Sequence, residues 1–138
     1  MKKKWMFYLE TFLLTISFMM VILVLSRLFV TSYEQSLYAK DLNNTVFLSE
    51  NLAEILRSSD DKAELKKKLE KEGNVLDGGD HYEISYDKDL KSDPEGIYLF
   101  KVYYEKENGL IEGRVEAYRN DELIYDLSLG RYLGEDER

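Results

Sequence analysis

The chain has no cysteine, one histidine, one tryptophan and a single proline in 138 residues. Without cysteine no disulfide can staple it, so a domain lying outside the cytoplasm must hold together by packing alone. One histidine, His81, with no cysteine beside it cannot assemble a zinc site of the usual composition within one chain. No serine or cysteine nucleophile motif accompanies it, so His81 reads as a surface residue at the start of a strand. No triad, metal cluster or phosphate loop is visible, which argues against an enzyme, and nothing in the pattern calls for a cofactor or a small-molecule substrate. Positive charge is scarce where a nucleic acid would need it. The net charge is -8, and the first 31 residues carry four basic side chains against one acid while the remainder is strongly acidic. A phosphate backbone requires a basic face, so nucleic acid is not an expected partner.

What the chain does have is one membrane-length apolar run. Residues 12–30 read FLLTISFMMVILVLSRLFV, which as a helix at about 1.5 Å per residue covers roughly 28 Å, close to the hydrocarbon thickness of a bilayer. Lys2, Lys3 and Lys4 precede the run, and the mixed charges of Glu34, Lys40 and Asp41 follow it. By the positive-inside rule the N-terminus is cytoplasmic and the rest extracytoplasmic. This gives a basic stub and transmembrane helix over 1–31 and an outer domain over 32–138, single-pass in the cell membrane with lipid as its first partner. A cleaved secretory signal also begins with lysines and an apolar core, but this run is longer than a signal core and no small-residue cleavage site follows Val30.

Neither proline nor glycine occurs between residues 31 and 61, so nothing there stops a helix. Tyr38, Leu42, Val46, Leu52 and Leu56 recur near a 3.6 period, with Phe47, Leu48 and Ile55 widening the stripe and Lys40, Asn43, Asn44, Glu50, Asn51 and Glu54 opposite. The simplest reading is one helix over 5–57, apolar all round in its first half and amphipathic in its second, roughly 80 Å long. The polar run SSDD at 58–61 ends that helix and caps another over DKAELKKKLEKE, closed by Gly73. From there the period becomes two. Strands are expected over 81–86, 96–104, 110–118 and 122–129, separated by turn signals at 87–95, at Asn108 and Gly109, and at 119–121. Four such strands with short connections form an antiparallel meander. The expected fold is α+β: a long N-terminal helix whose second half covers a four-stranded antiparallel sheet, with a short extra helix between. Tyr82, Ile84, Tyr86, Ile97, Leu99, Val115, Ala117, Leu123, Tyr125 and Leu127 are the expected core of the sheet, and the tail 134–138 is expected to fray.

One acid stands out. Glu10 lies at the head of the apolar run, within MFYLETFLL at 6–14, where four apolar residues precede it and more follow. This arrangement, with a hydrophobic helix that continues onto a four-stranded sheet, resembles the type IV pilin-like family of pilins, minor pilins and type II secretion pseudopilins. The stretch NNTVFLSENLAEI at 43–55 is similar to the amphipathic half of small I-type minor pseudopilins. The resemblance implies a structural subunit that contacts other pilin-like subunits through Met6, Phe7, Leu9, Glu10 and Thr11. It also implies a processing site between Trp5 and Met6, with Trp5 where the family carries a glycine or another small residue. Without a cut, Lys4 or a neighbouring chain's lysine becomes the partner expected for Glu10. A plain interfacial acid on a passive anchor, holding an extracytoplasmic binding or sensing domain, is the alternative. The acidic residues Asp87, Asp89, Asp93 and Glu95 offer oxygen ligands of the kind calcium takes, and some pseudopilins carry calcium in a loop of the sheet domain. Their spacing is not that of an EF-hand, and they read as a solvated turn with no metal.

Overall fold

A computed structural model describes residues 2–134; Met1 and residues 135–138, most of the tail expected to fray, lie outside the described residues. The chain divides into two compact units, one ending at Lys40 and the other beginning at Asp41. A single helix, α1 (Lys2–Arg57), contributes to both. The division follows the first buried residue of α1, Asp41, and so falls beyond the end of the apolar run at Val30.

In the first unit α1 is exposed throughout its described residues, and its apolar run over 12–30 is interrupted by charge only at Arg27, with Leu23 70 % and Phe29 74 % accessible. It is long and apolar enough to cross a membrane.

The second unit is α+β, as expected, but its sheet has five strands. After α1 come α2 (Lys62–Glu72), β1 (Val75–Asp77), β2 (His81–Tyr86), β3 (Tyr98–Glu107), β4 (Leu110–Arg119) and β5 (Glu122–Tyr132), the strands forming an antiparallel meander in sequence order. Strand β1 escapes a periodicity argument because three residues hold too few alternations. It pairs Val75 with Ile84 and Asp77 with Tyr82, and the turn back to β2 is held by the Gly79 amide donating to Asp77 Oδ1 at 2.9 Å. The β3–β4 hairpin turns on Asn108 and Gly109, both at positive φ, the pairing that a two-residue turn on twisted strands demands.

Helix α2 starts where the polar run predicts. Asp61 Oδ1 accepts from the Glu64 amide at 2.7 Å, and Glu64 Oε2 accepts from the Asp60 amide at 3.0 Å. The two carboxylates thus satisfy amides that the first turn leaves without helical partners. Leu65 and Leu69 drive its buried face fully into the core.

Two stripes sit differently from the sequence reading. In β3 the buried residues are Tyr98, Phe100, Val102 and Tyr104, so Leu99 lies on the opposite face, and Ile97, just ahead of the strand, is 36 % exposed. Both parities of this run are apolar, and alternation alone cannot choose between them. The cross-strand register chooses, setting Phe100 beside Ile84 on β2 and Ala117 on β4. Leu123 is likewise outside the core, because a register shift between Ala117 and Tyr118 turns the start of β5 the other way. Tyr82, Ile84, Tyr86, Val115 and Ala117 are buried as expected, and Tyr125 and Leu127 pack against them.

On α1 the buried stripe is Asp41, Thr45, Leu48, Ser49, Leu52, Ala53 and Leu56, a seam at spacings of three and four. Tyr38 and Phe47 are exposed instead. Four of these seven residues, Leu48, Leu52, Ala53 and Leu56, are apolar and belong to the core. A Cβ on Gly113 would stand 2.2 Å from Leu56 Cδ2, so β4 uses glycine to let this leucine in.

Candidate interaction surfaces

The first surface is the start of α1. Trp5, Met6, Phe7 and Leu9 are all exposed, and Lys2, Trp5, Met6 and Leu9 border an open apolar recess of about 490 Å³. Glu10 has Met6, Phe7, Leu13 and Leu14 as its neighbours at three and four residues, and among the described residues no cation pairs with it. Lys4, six residues back, is not on that face. Thr11 donates its hydroxyl to the Phe7 carbonyl at 2.9 Å, which withdraws it from outside contacts through that proton.

Within the second unit α1 is fastened to the sheet by a polar clamp at each end. At the Asp41 end, Tyr98 donates to Asp41 Oδ1 at 2.6 Å and the Arg119 guanidinium pairs with Oδ2. Thr45 donates to the carbonyls of Asp41 and Leu42 at 3.0 and 2.8 Å. Asp41 is 8 % exposed and Tyr98 1 %. At the other end Arg131 donates to the Arg57 carbonyl at 2.7 Å and pairs with Asp60, while Tyr104 and Lys106 both donate to the Asp60 carbonyl, at 3.0 and 3.2 Å. The first of these contacts satisfies a carbonyl that the last turn of α1 leaves open, and the others hold the Asp60 carbonyl just beyond it. Neither clamp is visible from local sequence, since Asp41 and Tyr98 stand 57 residues apart.

The sheet face away from α1 carries a charged array. In register across β2 to β5 lie Glu83, Lys101, Glu116 and Asp126, with His81, Tyr103, Arg114 and Ser128 in the next row. Glu116 is 8 % exposed and is held by Arg114 at 2.8 Å and by the Tyr118 hydroxyl at 2.6 Å. That hydrogen bond pushes the Tyr118 phenol up to about 12.

His81 is more engaged than a plain surface residue. Its ring lies 5.1 Å from that of Tyr103, with Nε2 2.9 Å from Glu83 and Nδ1 against Asp80. The hydrogen bond to Glu83 raises its pKa above 6.5, burial opposes that shift, and the Asp80 contact adds to it. A raised value means the protonated ring stabilises the fold fully below the unfolded value and loses that contribution as pH rises through the folded one. Urea midpoints taken at about pH 5 and about pH 8 are expected to separate wild type from His81→Gln at the lower pH and bring them together at the higher. Curves that stay parallel between the two would refute the assignment.

In the loop before β3, Asp87 Oδ1 accepts from the amides of Asp89 and Lys91 at 2.8 and 2.9 Å, and Asp93 Oδ1 accepts from Glu95 at 3.0 Å. These carboxylates organise the loop's own backbone. Among the described residues no group of three or more His, Cys, Asp or Glu side chains is placed to hold a metal ion. Comparison with protein-family models, with curated proteins and with solved structures finds no match.

Proposed function

We propose that this chain is a minor pilin-like or pseudopilin-like structural subunit of a pilus, competence or secretion-type assembly. In this reading the N-terminus is cytoplasmic, residues 12–30 cross the cell membrane, and the α+β domain works outside by protein contact. The observation that carries the reading is the character of α1: unbroken from Lys2 to Arg57, buried nowhere before Asp41, and bearing at the head of its apolar run an acid, Glu10, with which no cation pairs among the described residues. A tether needs only an apolar span; it has no use for Glu10 at the head of it. Helices that meet in a bilayer associate by packing and polar contacts, and Met6, Phe7, Leu9, Glu10 and Thr11 are the residues assigned to that contact.

The second reading, a single-pass anchored binding domain, draws support from the open sheet edge at β5. The two part company on an anchor replacement. Exchanging residues 1–30 for a polyleucine span with the same lysines is expected to leave the chain inserted and folded but to abolish its capture by partner subunits from membranes. Capture at wild-type level would sink the subunit reading and leave the anchored one. Mass spectrometry of the N-terminus adds the chemistry: a chain starting at Met6, N-methylated, is the product of a pilin-type peptidase.

A further inference from the structure

The two edges of the sheet are unlike. At one, β1 is three residues long and α2 packs beside it. At the other, β5 runs for 11 residues with β4 as its sole neighbour, and it contains neither proline nor lysine. Short strands, proline, charges and bulges are the usual protections of an edge; β5 carries Glu122, Asp126, Arg131 and a bulge at its start, but it is long and has neither proline nor lysine along residues 125–132.

The register tells which backbone groups are open. The Leu133 amide donates to the Gly109 carbonyl at 2.8 Å, so the hydrogen-bonded pairs with β4 are those of Arg131, Leu129, Leu127 and Tyr125. Strand alternation then turns the N–H and C=O groups of Asp126, Ser128, Gly130 and Tyr132 outward, four residues whose backbone is free to pair with another strand.

The side chains along this edge indicate what fits. On the α1 side, Leu127 and Leu129 are only partly buried, and apolar neighbours on an added strand would complete their cover. On the far side, Gly130 lies opposite Glu112, which in turn lies opposite Glu105. Two carboxylates directly across a ladder repel, and Arg114 does not relieve them, being engaged by Glu116 and Asp126. Having no side chain, Gly130 leaves a way from the open edge to this pair, along a shallow groove of about 640 Å³ that also touches Tyr103 and Ser128.

We infer that β5 is a docking edge for an extended segment of a partner protein, in which apolar residues alternate with a lysine or arginine placed beside Gly130. Main-chain pairing supplies the attachment and the cation over Gly130 supplies selectivity, the division of labour usual in strand addition. A second copy of this chain is the poorer occupant. Two-fold pairing of β5 would bring the Asp126 and Glu112 rows of both molecules together without adding a cation, since Arg131 is already held by Asp60 and the Arg57 carbonyl. The inference holds under either reading of the N-terminal helix.

The test uses the full chain in micelles of an uncharged detergent and a fluorescein-labelled peptide about nine residues long that alternates valine and lysine, read by anisotropy. The lysine peptide is expected to bind and its glutamate counterpart to fail. Ser128→Pro removes an outward N–H and leaves the ladder to β4 intact, so it is expected to weaken binding by about tenfold or more. Gly130→Leu has room, since the nearest atom to a new Cβ is Leu110 Cδ1 at 3.9 Å. It blocks the way to Glu112 and is expected to weaken the lysine peptide severalfold. Undiminished binding by both variants would reduce the effect to general attraction between a basic peptide and an acidic domain, and absence of binding would refute it outright. A dimeric mass by light scattering that Ser128→Pro halves, with no peptide bound, would assign the edge to a second copy instead.

Discussion

Replacing Asp41 by alanine is expected to lower the stability of the α+β domain by about 3 kcal/mol. The substitution removes the acceptor of a hydroxyl that is itself buried, that of Tyr98, and the counter-ion of Arg119. Removing one member of a buried ion pair costs about 3 to 5 kcal/mol because the other is left without compensation. Here the Arg119 side chain is 37 % exposed against 12 % for Asp41, so water takes up part of the cation's loss and the lower end of that range applies. Asp41→Asn keeps an oxygen for the Tyr98 hydroxyl and gives up only the charge, and an intermediate loss is expected. Exchanging the whole group for apolar residues, Asp41→Leu with Arg119→Met and Tyr98→Phe, is expected to recover most of it, as a dry contact replaces polar groups that must be desolvated and leaves no buried hydroxyl without an acceptor. Urea denaturation followed by near-ultraviolet circular dichroism of the tyrosines reads these differences, the lone tryptophan, Trp5, being outside this domain. An alanine variant as stable as wild type would show that the clamp contributes nothing.

Replacing Glu10 is expected to have the largest effect on function and none on the fold. A carboxylate surrounded by apolar helices costs several kcal/mol unless it finds a cation or a proton, and among the described residues no cation pairs with it. An assembly that buries this residue therefore has to provide the partner. The absence of cysteine makes the measurement clean: a single cysteine at Met6, Phe7 or Leu9 is the only thiol in the chain. Oxidative cross-linking in membranes is expected to join such chains to partner subunits that carry one cysteine at the facing position, and Glu10→Ala is expected to reduce the yield by about tenfold or more. Glu10→Gln separates charge from shape; if it cross-links like wild type, the contact is a hydrogen bond and not an ion pair. Full cross-linking by the alanine variant, with the domain folded in both, would leave Glu10 as an interfacial acid without a role in contact.

Much of the fold was legible because its signals are local. The cap at Asp61, the turn at Asn108 and Gly109, the uninterrupted helix and the alternation of 81–86 each depend on a few neighbouring residues. The inward face of β3 was not legible, because Ile97 and Leu99 compete with Tyr98, Phe100 and Val102 on equal apolar terms, and only pairing with β2 and β4 decides. Nor were the clamps: Asp41, Thr45 and Ser49 look like the polar side of an amphipathic helix, yet all three are buried. For Asp41 the reversal comes from a tyrosine and an arginine more than fifty residues away in sequence, a long-range fact that no helical period records, while Thr45 turns its hydroxyl back onto its own helix. Glu10 is the opposite case, conspicuous in sequence as an acid against an apolar run, while its neighbours within the chain offer it no partner.

The two clamps also determine how the domain answers a pull. Within the second unit, whose first residue is Asp41, a displacement of the helix along its own axis loads both clamps at once. A slip of one helical turn, about 5.4 Å, would carry Asp41 away from Tyr98 and Arg119 and drag the Leu56 side chain out of the space that Gly113 leaves for it. At the far end Arg131, Tyr104 and Lys106 would have to release Arg57 and Asp60 in the same movement. Because the contacts resist together and not one after another, the helix is set to bear load in shear, shared between its two clamped ends.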